Sequence, residues 1–206
     1  LDARGRIGSK AEIDSWAAIF GWPGYSHAAA QAAIAYAIEH SYEAEARIVS
    51  AWVNAYLGRP FGNSDIPYLN ELYFGGQSEE QVLSQILSQP EFYAHAQTLV
   101  ATGTTDERYV QALYLLLCHR PGTAAEVNAE VAALPTLGRQ AVALGFLWSL
   151  EFRTDQFEGY CDALLHRPSD PNNPALDQLQ DWVYSGYDMG SVRILMEAQP
   201  EFYYNG

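Results

Sequence analysis

The chain has 206 residues, with 25 acidic and 11 basic side chains and a formal net charge of -14. Its basic residues are ten arginines and Lys10, scattered singly, so it lacks the clustered cations that a nucleic acid or an anionic membrane surface requires. Hydrophobic residues make up 49%, enough for a packed core and against wholesale disorder, yet no apolar run approaches the ~20 residues needed to span a bilayer.

In chain order the first signals are Leu1 in place of an initiating Met, which marks a processed chain or fragment, and Ile13-Asp-Ser-Trp16, which resembles Leu179-Gln-Asp-Trp182. Ser41-Tyr-Glu43-Ala44 then opens a long helix with an expected apolar stripe at Ile48, Trp52, Ala55 and Tyr56, closed by Leu-Gly-Arg59-Pro60. Proline pushes its predecessor out of the α region and stops the helix. A second helix is expected over 66–74, a break at Gly75-Gly76, and a third helix opened by the capping box Ser78–Gln81, with Val82, Leu83, Ile86 and Leu87 as its apolar face. Pro90 suits a helix's first turn. Residues 94–108 read as an insertion, and 100–107, containing Gly103, as a soft joint before the capping box Thr104–Glu107. Val110, Leu113, Tyr114 and Leu117 follow at helical spacing up to His119-Arg120-Pro121. A helix over 124–133, the junction Ser149-Leu-Glu151-Phe152, a helix ending at His166-Arg167-Pro168, a polar loop with Asn173 as N-cap, a helix over 174–184, a break at Gly186 and Pro200-Glu201-Phe complete the pattern.

Self-similarity organises these elements. From Arg59, Arg120 and Arg167 to the Phe of the following Glu-Phe pair is 33, 32 and 35 residues. The expected fold is all-α, with about 10–13 short helices in a tandem array of about three and a half repeats of ~45–60 residues. Its boundaries are 1–58 (a partial repeat, the back half only), 59–107 (with the insertion), 108–165 and 166–206. Such units cannot bury their apolar faces alone and stack on neighbours.

A long helix ending in Leu-Gly-Arg-Pro, a polar loop, a Trp-bearing helix, a Gly-Gly turn and a Pro-Glu-Phe junction resemble a bacterial tandem-repeat family of unknown function. Its members are appended to secreted or surface proteins, often beside calcium-binding repeats, and it is distantly similar to the phycobilisome linker domain. The resemblance covers nearly all of the chain from Ile13 onward. It implies a helical, extracellular or cell-surface, non-catalytic module. His119 and His166 replace the Gly before Arg. The loop Asp is matched by Asp170 and Asp65 and is missing after Pro121. The Trp is kept at Trp182 and Trp16.

The recurring charges have a direct reading. Arg59, Arg120 and Arg167 end helices and Glu43, Glu91, Glu151 and Glu201 begin them, each sign matching the helix dipole. Arg forks onto carboxylate with paired hydrogen bonds, so each Arg is expected to clamp helix ends, and Arg120→Ala to lower stability. An anion-binding role is the alternative. His27, His40 and His95 lack ligand spacing. Cys118 and Cys161 are buried thiols or, if their helices are neighbours, a disulfide. Calcium ligation by Asp162, Asp170, Asn172, Asn173 and Asp177 competes with a plain turn, because no Asp-x-Asp-x-Asp run is present. No cofactor motif or catalytic triad occurs. Trp22, Tyr25, Tyr73, Tyr187, Tyr203 and Tyr204 sit by turns and suit a protein interface. The expected function is a structural assembly module whose partners are itself or other protein subunits. A scaffold or linker of a pigment–protein or surface complex, and a carbohydrate-binding adhesion module, are the alternatives. Exposed apolar chain ends are expected to drive self-association.

Overall fold

The computed structural model describes residues 6–169 and 181–205. Among them every regular element is helical and no strand occurs. The elements are α1 (Lys10–Ala18, continued by a 3-10 turn Ile19–Gly21), α2 (His27–Glu39), α3 (Tyr42–Leu57), a 3-10 turn Asn63–Asp65, α4 (Ile66–Tyr73), α5 (Glu79–Ser88), α6 (Pro90–Leu99), α7 (Thr105–Leu117), α8 (Ala124–Leu147), α9 (Leu150–Leu165), helical residues 181–184, α10 (Met189–Glu197) and α11 (Pro200–Asn205). The expected cap at Asn173 and most of the expected helix over 174–184 lie outside the described residues.

Helix starts follow local chemistry. The Ser78–Gln81 and Thr104–Glu107 capping boxes form, and two further ones open α1 at Ser9–Glu12 and α8 at Thr123–Glu126. Pro90 occupies the first turn of α6, where its missing N–H costs nothing.

Two kinds of left-handed turn recur. Gly58, His119 and His166, each immediately before the repeated Arg, have φ of 67°, 52° and 52°. Gly24, Gly76, Gly138 and Gly186, between a first and a second helix, have φ of 86°, 65°, 79° and 82°. Gly138 splits α8 into two helical segments. The expected helix over 124–133 therefore runs further, as far as this corner.

The chain forms two compact units, Leu1–Ile48 with Gln156–Gly206, and Val49–Asp155, whose boundaries fall inside α3 and α9. In the second unit α5 and α7 both pack on α8, and α6 packs on α7. Its core includes Leu69, Val82, Leu83, Ile86, Leu87, Phe92, Tyr109, Leu113, Leu117 and Leu147. In the first unit Phe157, Cys161, Leu164 and Leu165 of α9 pack with Met189, Val192 and Met196 of α10. There α2 packs against α10, tied by Arg193 Nε donating to Glu39 Oε2 at 2.7 Å.

Two expectations are corrected. The buried stripe of α3 is Ala44, Val49, Val53 and Leu57, while Ile48, Trp52 and Tyr56 are half-buried and Ala55 is exposed. Aromatic Trp52 and Tyr56 drew the sequence pattern one residue off the true face. The expected soft joint is a hydrogen-bonded corner: Tyr93 OH donates to Asp106 at 2.7 Å, Gln97 Nε2 to the Thr105 carbonyl at 3.2 Å, and Arg108 Nε to the Gly103 carbonyl at 2.8 Å.

Candidate functional site

The repeated arginines build one bonding pattern several times. Arg59 donates from Nε and Nη2 to Glu91 at 2.5 and 3.0 Å, from Nη1 and Nη2 to Asp65 at 2.7 and 2.8 Å, and from Nη1 to the Pro60 carbonyl at 3.1 Å. Arg120 makes the same five bonds, to Glu151 at 2.5 and 2.8 Å, Glu126 at 3.1 and 2.9 Å and the Pro121 carbonyl at 3.2 Å. A guanidinium has five N–H donors, and in both all five are engaged. Arg167 forks onto Glu201 through Nε and Nη2. The position six after Arg167 is Asn173, outside the described residues.

The partner of Glu43 is Arg6, a residue the repeat spacing did not single out. Arg6 donates to Glu43 at 2.7 and 3.0 Å, to Glu12 at 3.0 and 2.8 Å and to the Ile7 carbonyl at 3.5 Å. Arg6 thus makes the same set of bonds as Arg59 and Arg120, without the Pro that follows those two. The acid six residues after each Arg was the available signal: Glu12, Asp65 and Glu126. Glu126 also supplies the loop acid that the family-like motif lacked after Pro121.

Each such acid has a second task at a helix start. Glu12 Oε2 accepts from the Ser9 N–H at 2.8 Å, Asp65 Oδ2 from the Gly62 N–H at 2.8 Å and Glu126 Oε2 from the Thr123 N–H at 2.7 Å. In the clamps at Arg59 and Arg120, the Arg therefore joins the end of one helix, the start of the next and the first turn of α6, at Glu91, or of α9, at Glu151. Hydrogen bonds from Arg hold Asp65, Glu91, Glu151 and Glu201 below the usual carboxylate range, and Glu126 is lowered to about 2. The Arg59 and Arg120 guanidinium groups have no donor left for an anion, so their geometry is that of a joint.

No reactive centre is drawn together elsewhere among the described residues. Cys118 and Cys161 are both free thiols, each pushed up to about 11 chiefly by burial, so neither is a ready thiolate. No group of three metal-ligating side chains occurs among the described residues. Asp162 is exposed, whereas Asp170, Asn172, Asn173 and Asp177 lie outside them. An open groove of about 560 Å³ lies beside Leu99, Val100, Leu115 and Val127, and Glu107, its one charged lining residue, is held by Thr104 in a capping box.

Exposed aromatics collect at the corners. Trp22 stands two residues before Gly24, Phe74 two before Gly76 and Tyr184 two before Gly186; they are 52, 75 and 57% exposed. Leu137, next to Gly138, is also exposed. Tyr25, Tyr73 and Tyr187 flank the same corners with exposed rings. Trp22 and Tyr25 meet edge to face at 6.0 Å, and Tyr73 and Phe74 at 4.6 Å. Tyr204 is exposed on α11, and the Tyr203 side chain lies outside the described residues. Phe74, Leu137 and Tyr184 are not marked in the sequence, because the left-handed backbone that makes their glycines equivalent shows only in three dimensions.

Among the described residues no single helix is long and apolar enough to cross a membrane. No family model, curated protein or solved structure matches this chain.

Proposed function

We propose that this chain is a non-catalytic assembly module of an extracellular or surface bacterial protein. Its clamped tandem repeats present apolar corners to other protein subunits or to further copies of itself. The observation that carries this reading is the contrast between the two recurring features. Arg59 and Arg120 are fully occupied with internal carboxylates and a backbone carbonyl, while large apolar side chains at the glycine corners face solvent. Folding gains nothing from exposing Trp22, Phe74 or Tyr184, and exposed aromatics of this kind are enriched in interfaces.

The test is sedimentation velocity over a concentration series, at low salt and at ~1 M salt, where surface repulsion is screened to about 3 Å. The wild-type chain is expected to associate at high salt. The Trp22→Ser/Phe74→Ser/Tyr184→Ser variant, with an unchanged circular dichroism spectrum, is expected to stay monomeric. Association indifferent to these residues overturns this reading, as does a monomer at every concentration and salt that also binds no partner peptide through these corners.

A further inference from the structure

We infer that the corners dock a basic polypeptide segment, a partner rich in Lys and Arg, in preference to a second copy of this chain. The inference rests on the assembly reading above and names the chemistry of the partner.

The reason is where the positive charge has gone. Arg6, Lys10, Arg59, Arg120, Arg153, Arg167 and Arg193 pair with carboxylates of this same chain. Arg108 donates to the Gly103 carbonyl, and Arg139 lies over the Tyr93 ring at 4.7 Å. These nine cations are thus committed internally, and the net charge of the chain is -14. Two copies approaching through their corners bring two such charges together with few cations to offset them. A cationic segment meets the opposite situation, because the field attracts it and speeds encounter.

The corners add short-range complementarity. Asp181, which is exposed, stands three residues before Tyr184, a spacing that places acid and ring on one side of a helix, whereas at the Phe74 corner the Glu71 carboxylate is already held by Gln77 and Gln85. An exposed ring beside a carboxylate suits a Lys or Arg side chain. Its cationic head meets the ring face and the acid, and its methylene stem covers the ring. The first unit carries the Trp22 and Tyr184 corners, and the second unit carries the Phe74 and Leu137 corners.

The experiment is fluorescence anisotropy with a labelled peptide of alternating Lys, Arg and Gly, and a control peptide with Glu replacing the basic residues. Both are titrated with the full chain and with the Trp22→Ser/Phe74→Ser/Tyr184→Ser variant. The basic peptide is expected to bind, to weaken as salt rises from about 50 to about 300 mM, and to bind the variant roughly tenfold more weakly. The acidic peptide is expected not to bind. Equal binding to wild type and variant overturns the inference, since charge alone then suffices. Failure of the basic peptide together with corner-dependent self-association makes a second copy the occupant, which overturns the inference and leaves the assembly reading standing. Failure of both overturns both.

Discussion

At the residue scale the clamp arginine is specified by donor count. All five N–H groups of Arg59 are used, and lysine offers three donors without a fork, so Arg59→Lys is expected to recover little of what Arg59→Met loses. The four clamps are not energetically equal. Asp65 is 1% exposed, and removing Arg59 leaves its carboxylate with only the Gly62 N–H of these bonds, at a cost of about 3 kcal/mol. Arg6 and Arg120 sit among more exposed partners, where solvent screens the interaction. Thermal melts of Arg59→Met, Arg120→Met and Arg6→Met are expected to show the largest drop for Arg59. Equal melting temperatures in all three and in wild type would show that the clamps do not hold the fold.

The same carboxylates set the acid limit. Hydrogen bonds to Arg depress their folded pKa below unfolded values of about 4. Their contribution is therefore complete above that unfolded value and is lost as pH falls through the folded values, Glu126 at about 2. Denaturant midpoints are expected to fall from about pH 4 downward. In Arg59→Met this acid limb is expected to shrink, because Asp65 and Glu91 lose the partner that depresses them. An unchanged limb in that variant contradicts the assignment.

At the element scale the helices were legible where one strong local rule acted. Capping boxes, Pro at first turns and the α5 and α7 stripes needed no tertiary information. The α3 stripe was misread because aromatic residues half-buried beside the core look the same in sequence as residues inside it. Arg6 lacks the Pro that marks the other clamp arginines, and the acid six residues on, Glu12, was the one local sign of it. The helix-ending turns show tertiary packing overriding local preference. Gly58 is required twice, since φ is 67° and an added Cβ would lie 3.0 Å from His95. His119 accepts the left-handed conformation at φ 52°, with its Nδ1 3.1 Å from Asp155 in an exposed pair. Gly58→Ala is accordingly expected to destabilise by about 1–2 kcal/mol, and His119→Gly to stabilise by up to about 1 kcal/mol, both read by chemical denaturation. The same sign for the two substitutions would contradict this reading.

At the scale of the whole molecule two opposing terms meet. On the proposed reading, a net charge of -14 repels further copies of the chain, and the exposed corner side chains supply apolar attraction. The all-α class was legible from periodicity and the corners in part, through Trp22, Tyr25, Tyr73 and Tyr187; Phe74, Leu137 and Tyr184 were not, because their equivalence rests on glycines whose left-handed backbone appears only in three dimensions. Static light scattering measures the balance directly, through the second virial coefficient as a function of salt. The coefficient is expected to be positive at about 20 mM salt, where repulsion reaches about 20 Å, and to turn negative near 1 M in wild type but not in Trp22→Ser/Phe74→Ser/Tyr184→Ser. Identical coefficients for the two chains at high salt would contradict the claim that the corners are the surface through which this protein associates.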